Sequence, residues 1–288
     1  MRTRVVVLAL LALAACRPKE QGSAPADSTA MKSAAAPAAP ATPPVVTVRA
    51  RDFAFEGPSQ IPSGVTTFNL MNEGTTFHHM VIARLDSGKT LADLQQAIIK
   101  PGPPPVWFVA VGGPNATDPK GVSNATLDLP PGNYILLCFV DVPGGRPHYS
   151  RGMISPLTVT PSSGPSAAAL TPDVVATVED YKFTLSKPLV AGKQTIEVHI
   201  APGQPHELEI LKLAPGKTVK DLEAWGAKPQ GPPPFSGIGG IAPAGGGSVA
   251  SFTVDLTPGN YVMMCFLPDT KDRKPHFLHG MIQEFKVS

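Results

Sequence analysis

Cysteine is scarce in this chain, with three residues in 288, and an odd, small number is not a disulfide framework. Charge is sparse as well: 24 basic residues stand against 22 acidic ones. Arg2 and Arg4 lie in a segment expected to be removed, which leaves the mature chain near neutral (24 − 2 against 22). A neutral surface lacks the basic stripe that nucleic acid requires, so no nucleic-acid partner is expected. The sequence has neither a Gly-x-Ser-x-Gly elbow nor a His-Glu-x-x-His helix, which removes the common hydrolase and metalloprotease signatures. Gly239-Gly240 and Gly245 to Gly247 read as loop glycines rather than a dinucleotide fingerprint.

The N-terminus has a basic start followed by the apolar run Val5 to Ala15. The run is too short to span a bilayer and reads as a signal peptide. It closes on Leu13-Ala14-Ala15-Cys16, which resembles the bacterial lipobox. That resemblance implies cleavage before Cys16 and acylation of its sulfur, so Cys16 is the expected lipidation site and the membrane is reached through lipid. Arg17 stands where Asp would favour the inner membrane, so a periplasm-facing outer-membrane anchor or the extracellular surface is expected. Residues 17 to about 44 are Ala, Pro, Ser and Thr with few large apolar side chains, the composition of a tether.

From Val45 onward the chain is written twice. Val45 to Phe55 and Val174 to Phe183 are β-branched and partly alternating, a strand signature. Gly88-Lys89-Thr90 matches Gly216-Lys217-Thr218, and Pro103-Pro104-Pro105 matches Pro232-Pro233-Pro234. Leu129-Pro130-Pro131-Gly132-Asn133-Tyr134 matches Leu256-Thr257-Pro258-Gly259-Asn260-Tyr261. The expected organisation is a signal peptide at 1–15, an anchored linker at 16–44, a domain at 45–161, a linker at 162–172 and a second domain at 173–288. Short strands between Pro/Gly turns point to an antiparallel sandwich in each copy. One helix interrupts each: Thr90 with Asp93 forms a capping box before Leu91 to Ile99, and Thr218 with Asp221 repeats it. The Tyr of each Pro-Gly-Asn-Tyr turn is placed to bond back to its turn as a tyrosine corner. Strand alternation then sets Tyr134, Leu136 and Cys138 on one face, and Tyr261, Met263 and Cys265 likewise.

Each copy ends with the same chemistry. Cys138 is followed by His148 and Met153, and Cys265 by His276 and Met281, with His78 and His206 upstream. One Cys, two His and one Met make the donor set of a blue-copper centre, a trigonal His₂Cys plane with a weak axial thioether. Singly, each residue has a blander reading: a buried Cys as a small hydrophobe, a Met as core filler. A Cys138–Cys265 disulfide is also conceivable in an exported protein, but equivalent core positions of two domains set those sulfurs apart.

These residues resemble the cupredoxins, the plastocyanin and azurin family, over about 45–161 and 174–288. The resemblance implies an all-β fold of two tandem Greek-key sandwiches, one copper per domain, and as metal ligands His78, Cys138, His148 and Met153 with His206, Cys265, His276 and Met281. His79 aligns with Glu207 and is not an expected ligand. Two departures stand out. Nine residues separate Cys138 from His148 and ten separate Cys265 from His276, more than in plastocyanin-like loops. His79 and Glu207 occupy a position where the family often has Asn or Ser. Multicopper oxidases and copper nitrite reductases also join cupredoxin domains, but the first carry His-x-His pairs and both flank the blue-copper Cys with His. Here there is no such pair, and the flanks are Leu137 and Phe139, and Met264 and Phe266. The expectation is therefore a membrane-anchored electron carrier that is not an enzyme, working with a redox partner such as a cytochrome or a copper enzyme. A copper storage or delivery protein and a metal-free binding module are the alternatives. The loop residues His148 and His276 are the expected electron ports, beside Tyr149 and Phe277. His279 is expected to be exposed rather than a ligand.

Overall fold

The computed structural model describes residues 42–86, 88–98, 104–142, 145–164, 166–228 and 230–288. The expected signal peptide, Cys16 and nearly all of the expected tether lie outside the described residues, as do Pro103, Pro143 and Gly144. Residues Pro40–Ser288 form one compact unit.

The first half runs β1 (Val45–Arg51), β2 (Ala54–Glu56), β3 (Gln60–Pro62), β4 (Gly64–Asn72), β5 (Val81–Leu85), α1 (Leu91–Ala97) and β6 (Phe108–Gly112). It continues through β7 (Val122–Leu129), β8 (Gly132–Leu137), β9 (Asp141–Val142), β10 (Arg146–Pro147) and β11 (Ile154–Thr160). The second half is β12 (Val174–Glu179), β13 (Lys182–Leu185), β14 (Gly192–Ile200), β15 (His206–Leu213) and α2 (Val219–Ala227). It ends with β16 (Phe235–Ala244), β17 (Val249–Leu256), β18 (Gly259–Met264) and β19 (Ile282–Val287). The fold is all-β, two tandem Greek-key sandwiches with one short helix inserted in each, as the sequence led us to expect.

The local signals read from sequence act where they were placed. Thr90 accepts from the Asp93 N–H while Asp93 accepts from the Thr90 N–H, and Thr218 and Asp221 repeat the exchange, so both helices open on a complete capping box. The Tyr134 hydroxyl donates to the Pro130 carbonyl at 2.9 Å and the Tyr261 hydroxyl to the Thr257 carbonyl at 2.7 Å, which closes two tyrosine corners. Tyr134, Leu136 and Cys138 share the main core with Tyr261, Met263 and Cys265. Ile135 faces the other way, against Leu94 of α1, so β8 is buried on both faces.

The two halves are joined edge to edge rather than strung apart. One sheet has the order β13-β12-β14-β17-β7-β4-β1-β2 and the other β19-β18-β15-β16-β6-β5-β8-β11-β3. Equivalent strands therefore meet at the seam, β7 with β17 and β6 with β16. Pro114 and Ile241 bridge there, with the Asn115 N–H donating to the Gly240 carbonyl and the Ala242 N–H to the Gly113 carbonyl. Gly113 and Gly240 carry φ of +135° and +142°, and a Cβ on either would lie 2.0 Å from the Met80 or Leu208 carbonyl oxygen. Only glycine fits that approach. Gly239 and Gly240 thus belong to a strand at the seam, not to the loop expected from sequence.

The seam buries two carboxyls. The Glu207 Oε1 accepts from the Phe266 N–H and the Glu209 Oε2 from the Ala116 N–H, while the Glu209 Oε1 has no partner. Burial pushes the Glu207 carboxyl up to about 7. Burial and the neighbouring Glu207 raise Glu209 well above the ordinary 4.5. At these two carboxyls the folded chain keeps protons that the unfolded chain releases, and their contribution to stability falls as pH rises above 4.5. Five buried histidines, His78, His79, His148, His206 and His276, titrate in the opposite sense over the same window, so the carboxyl contribution is read as a difference between the native chain and a variant. Glu209→Gln, which removes the ionisation, should recover about 1–3 kcal/mol at neutral pH and little at pH 4.5. A stability difference between the native chain and Glu209→Gln that stays constant from pH 4.5 to 7 would contradict this reading of the seam.

Candidate metal centres

Each candidate site is assembled at the end of a strand that the core holds rigid. Cys138 follows β8 and Cys265 follows β18, both fully buried and both free thiols. The chain then loops out and returns as a short 3-10 turn, His148–Arg151 in one half and His276–His279 in the other. The long loops do not spread the donors. The His148 N–H donates to the Val140 carbonyl and the Tyr149 N–H to the Cys138 carbonyl. In the second half the His276 N–H donates to the Leu267 carbonyl and the Phe277 N–H to the Cys265 carbonyl. The extra length pairs with itself: β9 pairs with β10 in one loop, and Pro268 bridges Pro275 in the other, where the buried Asp269 Oδ2 lies 3.9 Å from the His276 Nε2. Nine or ten intervening residues thus leave the loop ends as close as a short loop would.

The donor atoms converge. The His78 Nδ1 lies 3.0 Å from the His148 Nδ1, and the Cys138 Sγ lies 3.5 Å from the same nitrogen. In the second half the His206 and His276 Nδ1 atoms are 3.1 Å apart, with the Cys265 Sγ 3.3 Å from His276. Met153 and Met281 are fully buried, and their carbonyls accept the Cys138 and Cys265 N–H groups. Each methionine thus sits directly beside its cysteine in the backbone. Left-handed Gly152 and Gly280 end the 3-10 turns and let the Met153 and Met281 N–H groups return to the His148 and His276 carbonyls.

Two carboxylates that sequence reasoning missed fix the imidazoles. The His78 Nε2–H donates to the Asp52 Oδ1 at 3.1 Å, and the His206 Nε2–H to the Asp180 Oδ1 at 2.9 Å. Although desolvation works against it, hydrogen bonds from Thr75 and His78 hold Asp52 below the ordinary carboxylate range, so it is an acceptor. With the proton on Nε2, the Nδ1 of His78 presents a lone pair to the site. Gly74 lies over this pair: a Cβ there would fall 2.3 Å from the His78 Nε2. Next to the carboxylates, Phe53 and Tyr181 have φ of 67° and 64° and set their ring edges against His148 and His276. Asp52-Phe53 and Asp180-Tyr181 occupy the same place in the two repeats, the signal that would have revealed them.

The residues fit copper. His148 and His276 each have an Nε2 that is buried and unpartnered. The Nε2 is unsatisfied in either tautomer; with the proton on Nε2, two Nδ1 lone pairs face each other and need a cation between them. A thiol, two imidazoles and a thioether are soft to borderline donors, suited to copper and unsuited to Ca²⁺ or Mg²⁺. Among the described residues a third group, Asp269, Asp272 and His279, also lies within ligand reach. Its donors are committed elsewhere. Asp269 accepts from the Tyr181 hydroxyl, Gln204 and the Lys271 and Asp272 N–H groups, and Asp272 accepts from the exposed His279.

Two further expectations change. His148 and His276 are fully buried, so neither ring is itself a surface port. The position after the first histidine is not idle: the His79 Nε2 accepts from the Phe139 N–H at 2.8 Å, as Glu207 does from Phe266.

No protein-family model and no curated protein matches the sequence. Solved structures do. A dithionite-reduced auracyanin from Roseiflexus castenholzii is 23% identical over 42% of this chain and 100% of its own, with a TM-score of 0.29. The blue copper oxidase of Nitrosomonas europaea is 16% identical over 86% of each chain, with a TM-score of 0.26. The copper nitrite reductase of Nitrosomonas europaea is 14% identical over 86% of this chain and 94% of its own, with a TM-score of 0.25. The expectation that the chain is not an enzyme is withdrawn, because the proteins that match most of its length are named an oxidase and a reductase.

Burial pushes the Cys138 thiol up to about 12 and raises Cys265 as well, while it lowers His148 and His276 to about 4. At neutral pH the thiols are protonated and the imidazoles already neutral. A metal must displace about one proton per site, so copper affinity should rise about tenfold per pH unit between pH 5 and 8. Proton release, measured calorimetrically in buffers of different ionisation enthalpy, checks the count, and release near zero would refute it. Asp52→Ala and Asp180→Ala should each weaken copper binding about 10–100-fold at their own site and leave the other unchanged. Competition with a copper chelator reads both.

Proposed function

We propose that this chain is a membrane-anchored, two-site blue-copper redox protein, with copper held by His78, Cys138, His148 and Met153 at 45–161 and by His206, Cys265, His276 and Met281 at 173–288. The observation that carries the proposal is the convergence of two imidazole Nδ1 atoms and one thiol sulfur, twice, inside the core. Copper bound there would supply a one-electron Cu(I)/Cu(II) couple. The protein's part is to keep one donor geometry for both oxidation states. The strand ends, the tyrosine corners and the paired backbone hydrogen bonds around each Cys leave little freedom to rearrange.

Access to each centre runs through the rings that cover it. Phe53 and Tyr181 close one side. Beside the second site, the exposed Phe266, its ring against Phe277, offers an apolar spot where a redox partner, such as a cytochrome or a copper enzyme, would approach. Cys16, acylated, would hold the chain to the cell envelope, with the Ala/Pro/Ser tether lifting the sandwiches from the surface. Copper storage or delivery is the competing reading.

The full chain loaded with Cu(II) should show an intense thiolate-to-copper absorption band and about two coppers per chain. Cys138→Ser and Cys265→Ser should each remove one copper and about half of the band. Rapid electron exchange with a small cytochrome supports the redox reading. Transfer of the metal itself to a chelating acceptor protein, with no electron exchange, would replace it by the delivery reading.

A further inference from the structure

The two centres share one plan but are not surrounded by the same charges. Each has a carboxylate behind its first histidine, Asp52 in one half and Asp180 in the other, so those contributions match. The second centre has one carboxylate more. Asp269 is 1% exposed, and its Oδ2 lies 3.9 Å from the unpartnered Nε2 of His276. Four donors reach its two oxygens: the Tyr181 hydroxyl and the Gln204 amide at Oδ2, and the Lys271 and Asp272 N–H groups at Oδ1. These bonds, that from Tyr181 first, hold the carboxyl well below its ordinary range. A carboxyl that accepts on every side has no place for a proton, so Asp269 is a buried anion.

The first centre is built differently at the same places. Phe53 stands where Tyr181 does and has no hydroxyl to hold a carboxylate. Asp141, seven residues before His148 as Asp269 is before His276, is exposed, and the His148 Nε2 has no partner. A cation is near instead: the Arg151 guanidinium carbon lies 4.3 Å from the centre of the Phe53 ring, whose edge meets His148. The position matching Arg151 in the second half is His279, which is bonded to the Asp272 carboxylate. Arg151 is exposed and its charge is screened by water, so the buried Asp269 is the stronger influence, and both lean the same way.

We infer that Asp269 holds the second centre at a lower reduction potential than the first, so that a chain carrying one electron keeps it at the first centre. The inference rests on the proposed copper sites and ranks them. In that exchange one electron leaves the second centre, which is oxidised, and enters the first, which is reduced, and no proton or bond moves with it. Oxidation adds one positive charge to a site. An anion beside the His276 ring favours that state, and a cation over Phe53 disfavours it at His148. No rearrangement is required, because the charges act through a geometry that both oxidation states share. A buried charge this near a ring is enough for a preference of about tenfold, which is about 59 mV for one electron. Glu207 replaces His79 beside the second cysteine, so the effect of Asp269 is read with Glu207 unchanged.

A spectroelectrochemical titration of the full chain loaded with Cu(II), read at the thiolate-to-copper band, tests this. Cys138→Ser reports the second site alone and Cys265→Ser the first. The second-site midpoint should lie below the first by at least about 59 mV, a tenfold preference. Asp269→Asn added to Cys138→Ser should raise the second-site midpoint and close most of that gap, whereas Asp269→Glu, which keeps the charge, should leave it open. Asp269→Asn added to Cys265→Ser should not move the first site. If Asp269→Asn does not fold, the exposed Arg151 serves: Arg151→Gln added to Cys265→Ser should lower the first-site midpoint by much less than the gap. Equal midpoints, a second site above the first, a gap that survives Asp269→Asn, or a gap that Arg151→Gln closes alone would each overturn the inference. A native chain with no thiolate band would instead overturn the copper reading beneath it.

Discussion

Two imidazole nitrogens 3.0 Å apart inside a protein core must have something positive between them. The Asp52 carboxylate takes the other proton of His78, so the nitrogen that faces His148 can only accept. A proton shared with His148 satisfies that pair but leaves the Cys138 thiol without a use; the far nitrogen of His148 is buried without a partner in either case. A metal satisfies both imidazoles at their inner nitrogens and uses the thiol beside them. Much of the fold serves to enforce this convergence. The strand ends, the folded-back loops and the aromatic edges of Phe53 and Tyr181 all hold side chains where, without a cation, they are poorly served.

That the arrangement occurs twice, with the same contacts at equivalent positions, separates it from accident. The second half repeats the close nitrogen pair, the carboxylate behind it, the covering ring and the unpartnered outer nitrogen. The halves differ where they meet. His79 stands at the place that Glu207 takes in the other half, and Asn115 at the place of Ala242. Fusing both sandwiches through shared sheets makes these differences consequential, because a residue at the seam contributes to both halves. A fold of two independent domains on a flexible joint would have no such residue.

Much of this was legible in the sequence because it is local or periodic. Cys138 and Cys265 end alternating strands, the capping boxes are spaced by three residues, and the Pro-Gly-Asn-Tyr turns announce their tyrosine corners. The repeated order of His, Cys, His and Met named the donors before any geometry was known. Asp52 and Asp180 were missed because nothing local marks a turn residue as a histidine's partner; 26 residues separate each from its imidazole. The burial of His148 and His276 was missed for a similar reason, since the ring that covers each comes from a distant turn with a left-handed residue. The seam could not be read at all. Gly113 and Gly240 look like loop glycines until the opposing carbonyls are placed against them.

Anomalous X-ray scattering at the copper edge from crystals of the copper-loaded chain tests the central claim most directly. Two peaks are predicted, one enclosed by His78, Cys138, His148 and Met153 and the other by His206, Cys265, His276 and Met281. Metal at the group of Asp269, Asp272 and His279 with nothing between the buried imidazoles would contradict the account, and would leave the close nitrogen pairs to a shared proton.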